Sequence, residues 1–123
     1  MKIVAFDIDD VICVRPKDKE SDGLLKYTYS IPIQKNIDII NQCYNSGYYI
    51  KLYTARGMSQ FNGDLHKIYD NLYVLTKKHL DEWGVKYHEL IMGKIHYDLL
   101  IDDKALNIDR IDTIKDIKKF LGD

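Results

Sequence analysis

Short apolar runs alternate with helix-period stripes along this chain, and several of the runs end in a cluster of polar residues. Lys2 to Ile8 is rich in β-branched residues and reads as a buried strand. Residues 11 to 30 hold no period and mix Pro16, Asp18, Asp22 and Gly23 with aromatics, so they predict a loop or small hairpin. Pro32 suits the first turn of a helix, on which Ile33, Ile37, Ile40 and Tyr44 recur at helical spacing until Gly47. Tyr48 to Tyr53 predicts a second strand, ending in Thr54-Ala55-Arg56-Gly57. A long helix is expected from about Asp64 to Trp83, with Leu65, Ile68, Leu72, Leu75 and Leu80 near one face and Gly84 at its end. Tyr87 to Met92 predicts a third strand, and Asp98 to Ile101 a fourth that ends in Asp102-Asp103. Asp112 is placed to cap a last helix with Ile114, Ile117 and Leu121 inward and Lys118 and Lys119 in its final turn.

Strands separated by helices predict an α/β fold: a central, mostly parallel sheet covered on both faces, in three layers. No repeat, low-complexity tract or linker divides residues 1–123, so one domain is expected. Ligands of such sheets bind beyond the carboxyl ends of the strands. The residues found there are Asp7, Asp9 and Asp10, then Thr54 and Arg56, then Lys94, then Asp102 and Asp103. Side chains two apart share a strand face, so Asp7 and Asp9 address one ligand together if the strand stays extended.

Several carboxylates at one point repel one another unless a cation neutralises them. Oxygen ligands favour a hard ion such as Mg²⁺. Zinc is the weaker reading, because His66, His79, His88 and His96 show neither an i, i+4 pair nor a cysteine partner in ligand spacing. Each histidine reads instead as a surface or hydrogen-bonded residue. Lys plus Arg total 18 against 19 for Asp plus Glu, and a net charge of -1 offers nucleic acid or an anionic membrane no attraction. No apolar stretch approaches the roughly 20 residues of a membrane span, and no signal peptide is recognisable at the N-terminus. Cys13 and Cys43 make no disulfide framework, so a reducing cytoplasm is the expected location.

The strand ends Asp7-Ile8-Asp9-Asp10-Val11, Leu52-Tyr53-Thr54, Lys94 and Ile101-Asp102-Asp103 resemble, in order, the four motifs of the haloacid dehalogenase superfamily of phosphotransferases. The contexts Tyr53-Thr54-Ala55-Arg56-Gly57, Gly93-Lys94 and Ile101-Asp102-Asp103-Lys104-Ala105 are similar to small phosphatases of bacterial surface-polysaccharide and capsule loci. The resemblance implies a Rossmann-like fold and a phosphatase working through an aspartyl-phosphate. Asp7 would be the nucleophile and Asp9 the general acid and then base. Thr54, Ala55, Arg56 and Lys94 would bind the phosphoryl group or substrate, Lys94 also offsetting the charge on Asp7. Mg²⁺ would be held by the Asp7 carboxylate, the Asp9 backbone carbonyl and Asp102, with Asp103 in support.

An acid at position 9 points to hydrolase or mutase chemistry within that resemblance, since the dehalogenases lack it and the transport ATPases carry Thr. Neither interval between motifs has room for a cap domain, and an open site favours hydrolysis. The expected substrate is a small polar phosphomonoester, such as a sugar phosphate or a phosphorylated amino alcohol. A phosphorylated macromolecule, a receiver-like signalling domain and a catalytically silent binding protein are the alternatives. The receiver order of motifs differs, because there the phosphorylated Asp ends a middle strand. Specificity would come from the 11–30 loop (Arg15, Lys17, Tyr27 and Tyr29 by position), from Arg56, or from a neighbouring subunit, for which a capless enzyme has most use. Asp10 reads as a supporting residue. Read alone, Asp9 and Asp10 are also good turn residues, and Asp102 and Asp103 good helix caps.

Overall fold

The computed structural model describes all 123 residues. Strand β1 (Ile3–Asp7) leads into a small antiparallel ribbon of β2 (Cys13–Val14) and β3 (Ile31–Pro32), with short 3₁₀ turns at Lys17–Lys19 and Gly23–Tyr29 between them. Helix α1 (Gln34–Asn45) follows, then β4 (Tyr49–Thr54). The next helix begins as α2 (Leu65–Ile68), widens through a π-turn at Tyr69–Tyr73 and continues as α3 (Val74–Glu82). Strand β5 (Glu89–Met92) and helix α4 (Ile114–Leu121) complete the chain. The expected loop or hairpin at 11–30, the helices and the first three strands all form, within a few residues of their predicted limits.

β1, β4 and β5 form one parallel sheet in the order β1-β4-β5, with Asp7 level with Tyr53 and Thr54 level with Met92. Helices flank this sheet, so the fold is α/β, compatible with a Rossmann-like layering. Parallel pairing follows from the helices between the strands, which carry the chain back to start each strand at the same end. Phe6, Ile50, Leu52, Leu90 and Met92 are buried and join Ile37 and Ile40 of α1 and Ile68, Leu72 and Leu80 of the long helix in one core. Asn41 ties α1 to the turn before β5, donating to the Gly84 carbonyl at 3.0 Å and accepting from Lys86 N–H at 2.8 Å. No helix is long and apolar enough to cross a membrane.

Three expectations need correction. Asp98–Ile101 is not a strand: the segment lies exposed and unpaired beside the domain, so the sheet has three strands instead of four. Cover on the second face is incomplete. The positions alternating with the core, Ile3 and Ala5 on β1, Tyr49, Lys51 and Tyr53 on β4, Glu89 and Ile91 on β5, are exposed or half-buried. Helix α4 is capped by Thr113, one residue later than expected, because Asp116 completes a reciprocal capping box with it. Asp112 instead donates its backbone N–H to Asp116 at 2.8 Å.

Candidate active site at the carboxyl end of the sheet

β1 ends at Asp7 because the chain turns sharply behind it. The Ile8 carbonyl accepts from the N–H groups of Val11, Ile12 and Cys13 at 3.1, 2.7 and 3.3 Å, and Asp10 takes a left-handed φ of 68°. Asp is among the residues that tolerate this region. Asp7 and Asp9 therefore do not share an extended strand face. Asp7 stays at the strand end, with a third of its side chain accessible, while Asp9 sits in the turn.

Lys94 joins Asp7 from the far edge of the sheet. Its Nζ lies 2.9 Å from Asp7 Oδ2, and Asp7 Oδ1 accepts from Ile8 N–H at 2.8 Å. Lys94 N–H also donates to the Thr54 carbonyl at 3.0 Å, which sets this lysine across the ends of β4 and β5. Burial pulls the Lys94 pKa down, but hydrogen bonds to Asp7 and Tyr97 outweigh it and leave the pKa raised. The ammonium thus stays charged over the nucleophile expected at Asp7. Gly93 makes the turn possible: its φ is +95°, and a Cβ there would stand 2.5 Å from Leu65 Cδ2.

The second strand end contributes Thr54 and Arg56. Thr54 is wholly buried, and its Oγ1 accepts from Arg56 N–H at 3.1 Å, which leaves its hydroxyl proton to donate. Ala55 closes the following turn, its carbonyl accepting from Met58 N–H at 3.0 Å. Arg56 is not the substrate contact expected of it. It is 1% exposed and points inward. Its Nε is 3.0 Å from Asp9 Oδ2 and its Nη2 3.1 Å from Asp9 Oδ1. It also donates to Thr76 Oγ1 at 3.2 Å and Ser30 Oγ at 3.3 Å, and its guanidinium lies 5.0 Å from the centroid of the Tyr27 ring. Arg15 adds a second cation, 3.3 Å from Asp9 Oδ1. Arg56 is thus a positioning residue that orients Asp9.

This network explains the ribbon. Tyr27, considered for substrate contact, is buried, with its hydroxyl accepting from Gly57 N–H at 3.2 Å. Tyr29 is partly exposed, with Lys19 Nζ 4.8 Å from its ring centroid. Thr76 and Ser30 were not anticipated as partners of Arg56. A signal for Thr76 does exist: it stands four residues from both Leu72 and Leu80, a polar side chain within the core stripe. Burial, then the neighbouring Asp9 charge, pushes the Cys13 thiol up to about 12, so it is not a nucleophile at neutral pH. His79 is buried instead of superficial, stacked on Trp83 at 4.9 Å between ring centroids.

Asp102 and Asp103 do not reach this site. Both are exposed, and Asp102 accepts from Lys104 N–H at 3.2 Å. That bond, then contact with Asp103, holds the Asp102 pKa below its ordinary value. No three acidic, histidine or cysteine side chains anywhere in the chain converge as a metal site. The carboxylates expected for Mg²⁺ are not gathered within a single chain: Asp7 carries the Lys94 ammonium, and Asp102 lies elsewhere.

No family model matches the sequence, and no curated protein matches it. The fold is similar to that of a crystallised target protein from Vibrio cholerae. That structure aligns with a TM-score of 0.79 and 24% identity over 99% of this chain and 98% of that one.

Proposed function

We propose that this protein is a phosphomonoester phosphatase that works through an aspartyl-phosphate on Asp7. The observation that carries the reading is the 2.9 Å contact between Lys94 and Asp7, residues 87 apart in sequence, at the sheet end where Thr54 also stands. An Asp7 oxygen attacks phosphorus, the bond from phosphorus to the ester oxygen breaks, and Asp9 supplies the proton that the alkoxide takes. Asp9 then accepts a proton from water as its oxygen attacks phosphorus, which releases phosphate and restores Asp7. Lys94 stabilises charge on the phosphoryl oxygens, and Thr54, wholly buried behind it, fixes the turn that carries Arg56.

Asp9 Oδ2 faces Arg56 alone, whereas Oδ1 meets Arg56, Arg15 and the Cys13 thiol. Oδ2 is thus the oxygen that moves the proton. The steps use only the chain's own groups. The Lys94 ammonium beside Asp7 suits the anionic group of a small polar monoester, such as a sugar phosphate or phosphorylated amino alcohol. Phosphate release from a phosphomonoester panel with Mg²⁺ present tests the reading. Turnover that falls at least about 100-fold in Asp7→Asn is expected from loss of the nucleophile. No turnover of any panel member by wild type, or an unchanged rate in Asp7→Asn, overturns it.

A further inference from the structure

Residues 95–106 form an arm that belongs to no layer of this domain. Their backbone groups make no hydrogen bond to the rest of the protein; the one bond within the arm is Lys104 N–H to Asp102. Leu99 is 76% exposed and Ile101 88%. Both ends of the arm are fixed: Lys94 on Asp7 and the Thr54 carbonyl, and Ile111 buried in the core. At the edge of the sheet opposite β5, β1 pairs only with β4 and leaves its other side free.

The arm and that edge match each other in kind but cannot pair within one chain so as to complete the site. To bring Asp102 to Asp7, residues 98–102 must run parallel to β1, with their carboxyl end at Asp7. A parallel neighbour needs a crossover of about a dozen residues. Between Met92, the last residue of β5, and Asp98 there are only Gly93, Lys94, Ile95, His96 and Tyr97. An antiparallel pairing within the chain would carry Asp102 to the opposite end of β1.

We propose that two copies exchange these arms, each arm adding a parallel strand at 98–102 to the free β1 edge of the other copy. The exchange buries Leu99, Leu100 and Ile101 and pairs the backbone groups on both sides. It obeys the two-fold rule that each copy gives what it receives. It also sets Asp102, with Asp103 beside it, next to the other copy's Asp7. The second chain would then supply a carboxylate beside Asp7, so the phosphatase site proposed above would be shared between copies. The parallel direction and the shared site rest on the phosphatase reading; the association of two copies through their arms does not.

Light scattering on a size-exclusion column should give a wild-type mass of twice the 14.5 kDa chain. The double variant Leu99→Asp, Ile101→Asp should be monomeric with an unchanged circular dichroism spectrum, because both side chains are solvent-exposed within one chain. A monomeric wild type, or a dimer that survives the double variant, overturns the exchange. For the shared site, Asp7→Asn and Asp102→Asn chains are co-expressed and the mixed dimer isolated by tandem tags. Each parent is expected to be inactive, and the mixed dimer, with one intact site of two, to show about half of wild-type activity. An active, dimeric wild type whose mixed dimer stays inactive overturns sharing of Asp102. A wild-type dimer lost in the double variant, but without hydrolysis of any substrate, supports the exchange and overturns the phosphatase reading.

Discussion

Asp9 and Arg56 show how one contact changes a residue's role. Arg56 sits at a strand end where substrate-binding cations are expected, yet it is buried against Asp9 and holds it with two nitrogens. Removing one partner of a buried ion pair leaves the other charge uncompensated, at a cost of about 3–5 kcal/mol. Arg56→Ala should therefore lower unfolding stability by that amount in urea titrations. Arg56→Lys should keep much of the stability yet lower kcat more than it raises KM, since a lysine cannot reproduce the forked geometry on Asp9. A KM effect alone would return Arg56 to substrate binding. The places of Asp7, Thr54 and Lys94 were legible from strand ends and from Gly93. The direction of Arg56 was not, because it depends on Thr76, Ser30 and Tyr27, which are contributed by two other segments.

At the level of elements, hydrophobic period predicted the three strands of the parallel sheet and the α-helices, since each buries its own stripe in the core. It failed at Asp98–Ile101, where the pattern is strand-like but the five-residue link to β5 denies the segment a parallel neighbour in its own chain. Helix starts were legible only to within about two residues: Pro32, expected in the first turn of α1, lies in β3, and the last helix is capped by Thr113 instead of Asp112. Thr113 Oγ1 accepts from Lys115 N–H at 3.2 Å, and Thr113→Ala should cost about 1 kcal/mol in thermal or urea unfolding. Backbone bonds from Asp112, then from Thr113, hold the Asp116 pKa below its ordinary 3.8. A depressed carboxylate pKa stabilises the fold above the unfolded value and loses that effect as pH falls through the folded one. The stability gap between wild type and Asp116→Asn should thus be constant at neutral pH and close in acid, below 3.8. A gap independent of pH would show that the Asp116 charge does not matter.

Across the whole molecule, a free β1 edge, a half-bare sheet face and an unpaired apolar arm are three faults of one kind. Native sheets close or protect their edges, and parallel sheets are covered on both faces. The proposed arm exchange would pair the free edge and bury the apolar arm, and would make activity depend on assembly. Specific activity measured over a dilution series should fall as dimers dissociate, in parallel with the loss of dimer mass. Constant specific activity in samples shown to be monomeric would separate catalysis from assembly.

The amino-acid sequence by itself determined the α/β order of elements and the polar residues at the ends of the three sheet strands, because periodicity and turn residues act over a few neighbours. It placed Asp7, Thr54 and Lys94 at ends that a parallel sheet must bring together. Only the tertiary structure decided that Asp9 faces Arg56, that Lys94 rests on Asp7, and that Asp102 stands apart. Those outcomes depend on contacts between residues 47 and 87 positions apart, and on whether a connection is long enough to reach.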